Sequence, residues 1–263
     1  MKQILWLVTI VFLSVSCATD KELKITQSAE SKSRAELLIV DAVRAVLNVV
    51  PQYVATGMSP SSTVTMTSNV LLSDSTYPKV ITLNYGLEDQ VDGFGNNKRG
   101  KVLVTISSVN TLKGSFNIEF DNYYNNGSRL LGLLKADYSE VTSQPLYSIL
   151  MSDSVRYTNA NGTGSWNGTL SLLRTSGDNT IDVLDDVYSY EEDTKGQDVE
   201  AKTFTSKNEG SVTLDFSCKW LITSGMFEIS PTDESPKLLK SNEQCDGVFE
   251  VGREGESPVY FEL

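Results

Sequence analysis

Carboxylates and cysteines are the side chains in this 263-residue chain whose types and spacing could do chemistry, because it contains no histidine. Without an imidazole, Ser-His-Asp and Cys-His mechanisms are excluded as usually written. Glu119 and Asp121 fall on one face of a predicted strand, Asp182 shares a face with Leu184, and Glu191-Glu192-Asp193 makes an acidic corner. Two carboxylates set apart around a cleft can hydrolyse a glycosidic bond. Acids alternating with apolar residues also describe the solvent face of an antiparallel sheet. The second reading is preferred, so no catalytic residue is assigned and a carboxylate-dependent glycosidase is kept as an alternative.

Metal chemistry is restricted in the same way. Thiols without histidine make a poor zinc shell. An all-oxygen shell would suit calcium or magnesium, and the loop at residues 89–97 offers Asp89, Asp92, Asn96 and Asn97 among glycines. It lacks EF-hand spacing and a closing glutamate, so it reads as a hairpin loop, and neither metal nor cofactor is expected.

Aromatic residues offer a third chemistry. Tyr123, Tyr124, Tyr188, Tyr190, Trp166 and Trp220 are candidates for stacking on sugar rings. Tyr123, Tyr124, Tyr188 and Trp166 are taken as the candidate ligand-binding residues. The competing reading is cross-strand and core packing. A further alternative is an apolar-ligand carrier, in which a curved sheet shields a lipid with a helix against it.

Cys17 carries an address. Met1-Lys2 precedes an apolar run at residues 4–13, then Ser14-Val15-Ser16. A charged start, a short apolar core and small residues before the cut make a secretory signal. The run is too short to cross a ~30 Å hydrocarbon core as a helix. A cysteine at the cut point resembles a bacterial lipoprotein signal, with Cys17 the acylated (palmitate-bearing) anchor, although Ser14 stands where such signals usually place leucine. Residues 17–33 are polar and read as a tether.

Removing residues 1–16 takes away only the positive Lys2, moving the formal net charge from −12 to −13. A chain this acidic repels nucleic acid. The partners expected are the membrane through the N-terminus, and a glycan or an envelope protein. Cys218 and Cys245 remain, and export to an oxidising compartment favours their pairing as a disulfide.

These groups need a scaffold, and the pattern supplies one. Ala35, Leu38, Ile39, Ala42, Val43, Val46, Leu47 and Val50 repeat at helical spacing. Ser33 with Glu36 fits a capping box, and Pro51 is expected to stop the helix. Glu36, Asp41, Arg44 and Asn48 lie away from the stripe. Period-2 stretches then occur at residues 63–67, 79–85, 101–107, 115–124, 166–173, 180–190, 211–216 and 226–229, with turn-forming clusters between many of them. The expected fold is mainly β: a large antiparallel body (meander, sandwich or open barrel-like) with one N-terminal helix, in a single domain at residues 34–263. Strands led by Gly100, Gly168 and Gly210 raise the question of an internal repeat.

Ile81-Thr82-Leu83-Asn84-Tyr85-Gly86, Asp92-Gly93, Arg99-Gly100-Lys101-Val102, Ile118-Glu119-Phe120-Asp121-Asn122-Tyr123-Tyr124-Asn125-Asn126-Gly127 and the tail from Cys245-Asp246-Gly247 to Leu263 resemble the exported lipoproteins of unknown function common in Bacteroidetes. The resemblance implies an outer-membrane lipid anchor, on the periplasmic or the cell-surface face, and a β architecture. It implies no activity. Asp74-Ser75-Thr76 and Asp153-Ser154-Val155 look like the O-glycan acceptors of such proteins, while the sequons at Asn126, Asn161 and Asn167 read as turns.

Overall fold

The computed structural model describes residues 19–108, 112–177, 182–241, 244–253 and 257–263, with side chains from residue 27 onward except 152–154. Cys17 and residues 178–181 therefore lie outside the described residues. One helix, α1 (Thr19–Thr56), precedes a sheet of 16 strands. They are β1 (Thr65–Ser68), β2 (Lys79–Asn84), β3 (Gln90–Val91), β4 (Asn97–Ile106), β5 (Ser115–Asn125), β6 (Ser128–Val141), β7 (Gln144–Asn159) and β8 (Gly162–Ser176). The second half holds β9 (Val187–Gln197), β10 (Thr203–Asn208), β11 (Val212–Asp215), β12 (Ile222–Ser224), β13 (Met226–Pro231), β14 (Lys237–Ser241), β15 (Val248–Gly252) and β16 (Val259–Glu262). The protein is mainly β, as the alternating stretches imply.

The sheet is one antiparallel meander from β1 to β16, with β3 and the β11–β12 pair branching from it. β9 pairs with β10 through residues 193–197 and with β11 through residues 187–190. Inward positions alternate with outward ones, as Ile81 and Leu83 do in β2 and Phe116 and Ile118 in β5.

A line of register shifts crosses five neighbouring strands. It passes between Arg99 and Lys101, between Glu119 and Tyr123, between Leu131 and Leu133, and between Met151 and Val155. Gly100 sits in the left-handed region at φ 85°, and a Cβ there would lie 1.9 Å from the Asn122 carbonyl oxygen. Gly168, on β8, stands against the Asp193 carbonyl in the same way, 2.2 Å from where its Cβ would be. Bulges bend and coil a sheet, and this row curls the meander around α1. Two of the three glycines that suggest a repeat thus mark one fold line.

α1 departs most from expectation. Residues 19–33 are helical, so the predicted tether is the first part of the helix, and Ser28, Ser31, Lys32 and Ser33 are buried. Ser33 and Glu36 stand in mid-helix and form no cap. Pro51 lies inside the helix. A proline there costs about 3 kcal/mol, and burial of Tyr53 with packing of Val54 holds the turn beyond it. The helix ends at Gly57, in the left-handed conformation at φ 71°, whose N–H donates to the Tyr53 carbonyl at 2.8 Å.

The reason is enclosure. α1 packs on β8, β13, β15 and β16 and is bonded to β4, β5 and β9. The sheet covers it from several sides, leaving a narrow stripe of partial exposure at Gln27, Glu30, Arg34, Leu37, Ala45 and Asn48. Val43, Val46 and Val50 are fully buried, and so are Lys32 and Glu36. Residues 27–56 are long and apolar enough to cross a membrane, but 67% of their most apolar window is buried inside the fold.

Candidate binding site at the helix seam

Asp41 and Arg44 sit three residues apart on α1, a spacing that brings side chains together. Arg44 Nη2 donates to Asp41 Oδ1, and Nη1 donates to the carbonyl oxygens of Phe216 at 3.1 Å and Cys218 at 2.7 Å. The guanidinium lies 3.7 Å from the Phe94 ring centroid. Lys98, at the start of β4, reaches Asp41 Oδ2 at 2.7 Å and Asp92 Oδ2 at 2.8 Å. Asn125 Nδ2 donates to the same Asp41 oxygen at 2.7 Å.

Two carboxylates and two cations thus balance under the β3–β4 loop. Burial pushes the Asp41 carboxyl up, but Lys98 and Arg44 more than offset it and hold it below its ordinary value. Burial raises the Tyr123 phenol well above its usual range. At neutral pH the Asp41 carboxylate is therefore charged and the Tyr123 phenol neutral.

A second buried cluster lies one helical segment earlier. Lys32 pairs with Glu36 and, at 3.2 Å, with Glu192 of β9. Tyr190 Oη donates to Glu192 Oε2 at 2.9 Å, and Ser206 Oγ to Oε1 at 2.5 Å. The Lys32 ammonium is 3.1 Å from the Phe227 ring centroid. Burial, partly countered by Lys32 and reinforced by Glu192, raises Glu36 to about 7. Lys32 and Glu36 have no solvent exposure, and none of the described hollows is lined by this cluster.

Two hollows flank the first cluster. One of about 250 Å³ is bordered by Arg44, Asn48, Tyr85, Phe94 and Lys98. The other, about 300 Å³, lies between Arg34 and Asp41 on α1, Asn97 and Asn125 on the hairpins, and Lys219 and Trp220 after β11. Shallower hollows of about 430 Å³ and 580 Å³ lie across β8–β10 and beside the end of α1.

The predicted stacking platform does not form. Tyr123, Tyr188 and Trp166 are buried at 2% exposure or less. Tyr123 stacks on Phe120, and Tyr188 packs on Phe216 and donates to Asp186 Oδ2 at 2.9 Å. Tyr124 is half-buried outside, with the Arg99 guanidinium 3.8 Å from its ring centroid. As consecutive strand residues, Tyr123 and Tyr124 face opposite sides of the sheet. Trp220 alone of the six aromatics borders the 300 Å³ hollow.

Glu119 and Asp121 are exposed on the outer face, with Lys101 3.8 Å from Asp121, and neither borders a described hollow. In the 89–97 loop, Asp92 turns inward: its Oδ1 accepts from the Phe94 and Asn96 amides and its Oδ2 binds Lys98. Asp89 pairs with Arg99 at 2.7 Å. Among the described residues no group of three or more His, Cys, Asp or Glu could hold a metal. Cys218 and Cys245 are joined by a disulfide, with Cα atoms 5.7 Å apart.

Asp41, Arg44, Lys98, Asn125 and Lys219 are absent from the candidates read from sequence. The signal available was the Asp41/Arg44 spacing on a helix face that reads as solvated. No protein-family model, curated protein or solved structure matches the chain.

Proposed function

We propose that this chain is an exported envelope lipoprotein, anchored at Cys17, whose β body has a non-catalytic structural or ligand-binding role. The observation that carries the export reading is the Cys218–Cys245 disulfide, a bond that persists in oxidising compartments. Anchoring has a consequence for this fold. α1 begins at Thr19, two residues beyond Cys17, and becomes the core helix. From Thr19 onward, the described chain leading to the core is helical, rising about 1.5 Å per residue.

The non-catalytic reading draws support from the charge pairing at the seam and from the outward position of Glu119 and Asp121. A lipid carrier fits less well, since α1 occupies the concave face where an acyl chain would lie. A glycan-binding role remains as the second reading, moved to the hollow beside Trp220.

Intact-mass and N-terminal peptide analysis of the protein from its native membrane tests the anchor. A diacylglyceryl-modified Cys17 as first residue is expected, with Cys17→Ser shifting the protein to the soluble fraction. An unmodified N-terminus elsewhere in a soluble product overturns the proposal.

A further inference from the structure

We propose that the 300 Å³ hollow at the helix seam binds a sugar acid, a pyranose unit carrying a carboxylate; this names the ligand class for the binding role above and rests on that role. The volume is at the lower end for small-molecule sites (about 300–1,000 Å³). It suits one or two sugar units and is too small for a lipid.

The charge at the hollow favours an anion. Asp41 is its buried carboxylate, and Arg44 and Lys98 already neutralise it. Two further cations border the space. Lys219 lies over the indole of Trp220, 4.7 Å from the centroid, and no described ion pair includes it. Among the described residues Arg34 forms an ion pair only with Glu30, in a bond whose side chains are 25% and 34% exposed; such pairs contribute little and exchange readily. With Asp92 on Lys98 and Glu30 on Arg34, the charges around the hollow pair off except for Lys219, whose ammonium is the one positive charge without an ion-pair partner there among the described residues, in a chain of net charge −12.

The neutral lining favours hydroxyl groups. Asn97 is exposed at the rim. Asn125 spends its Nδ2 on Asp41, while its buried Oδ1 has no hydrogen-bond partner. Ser128 adds a hydroxyl. Acceptors and donors interleaved in this way match sugar hydroxyls, which do both. Phosphate would leave the amide acceptor unused. Leu37, Trp220 and Leu263 form an apolar wall for the C–H face of a ring.

The amides are placed by the fold. Asn126 Nδ2 donates to Asn96 Oδ1 at 2.9 Å, and its Oδ1 accepts from the Asn97 amide at 2.9 Å. The two hairpins are therefore fixed to each other across the mouth, and the site is preorganised.

The test is saturation-transfer NMR on the full-length protein in a sugar-free detergent, with D-galacturonate and D-galactose as paired probes at millimolar concentration. Transfer to galacturonate is expected, with galactose at least tenfold weaker. Lys219→Glu should weaken galacturonate at least tenfold while the thermal midpoint stays unchanged; Asn97→Ala, on the rim, should weaken both sugars and serves if Lys219→Glu does not fold. No transfer from galacturonate, equal binding of the two sugars, or galacturonate binding unaltered in the folded variants overturns the proposal. The Cys17 mass measurement is independent of these outcomes, so failure here and failure of the anchoring reading are told apart.

Discussion

Arg44 donates to the main-chain carbonyl of Cys218 across 2.7 Å, tying the middle of the core helix to one end of the disulfide. The same guanidinium reaches Phe216 and Asp41 and lies on Phe94. The planar fork of donors holds two carbonyls and a carboxylate in one fixed geometry, which a compact ammonium on a flexible stem reproduces poorly. Arg44→Ala removes these bonds and leaves two buried carbonyls without this donor. Breaking a buried pair in this way costs about 3–5 kcal/mol. Urea unfolding should report a loss of that order, and Arg44→Lys should recover little of it. Near-complete recovery by lysine would mean that charge alone matters here.

The disulfide closes a loop with a sequence separation of 27. The chain-entropy treatment gives about 3–4 kcal/mol for a loop of this length. Cys218→Ser with Cys245→Ser should therefore lower stability by that amount. Since Arg44 holds the Cys218 carbonyl, adding Arg44→Ala should cost less than the sum of the separate losses. Strict additivity in the double-mutant cycle would show that the Cys218 loop stays docked without its cross-link.

The regular alternation of β2, β4 and β5 was legible because one face is core and the other solvent. β6 and β7, the strands with the most extensive mutual pairing, escaped it. Leu130-Leu131-Gly132-Leu133-Leu134 is a continuous apolar run, and register shifts near Gly132 and at 152–154 break the period. A one-residue bulge also reverses faces. Phe120 and Tyr123 both point inward, three residues apart, which no strict alternation predicts. The helix was legible from its apolar stripe. Its buried charges were not, because Lys32 reads as part of a polar tether and Asp41 and Arg44 as a solvated face until strands distant in sequence bring Glu192, Lys98 and the Cys218 carbonyl to them. The hollow at the seam depends on five separated segments and leaves no local spacing to find.

Gly100 and Gly86 both adopt positive φ, at 85° and 88°. They differ in surroundings. A Cβ at Gly86 meets nothing within 4 Å, whereas at Gly100 it would overlap the Asn122 carbonyl oxygen. Gly86→Ala carries only the left-handed backbone cost, about 1–2 kcal/mol. Gly100→Ala adds displacement of β5 at the bulge and should cost clearly more in urea unfolding. Equal losses would mean that the fold line yields freely at this crossing.

Glu36 gives the fold a pH dependence whose direction follows from its surroundings. It shares Lys32 with Glu192, and Tyr190 and Ser206 bond the latter. Its carboxyl rises from 4.5 to about 7, so between those values the folded state holds a proton that the unfolded chain has released. Stability from this group is complete below pH 4.5 and lost as pH rises through 7, by at most about 1.4 kcal/mol per pH unit. Asp41, whose carboxyl is held below its ordinary 3.8, acts oppositely: its contribution is present above that value and lost as pH falls through its folded value. Urea unfolding of the wild type should weaken from pH 5 to pH 8. Glu36→Gln keeps the shape without the ionisation, so its stability should be nearly flat over that range. It should exceed the wild type at pH 8, where the buried carboxylate is charged. An unchanged slope in Glu36→Gln would place the titration on another group.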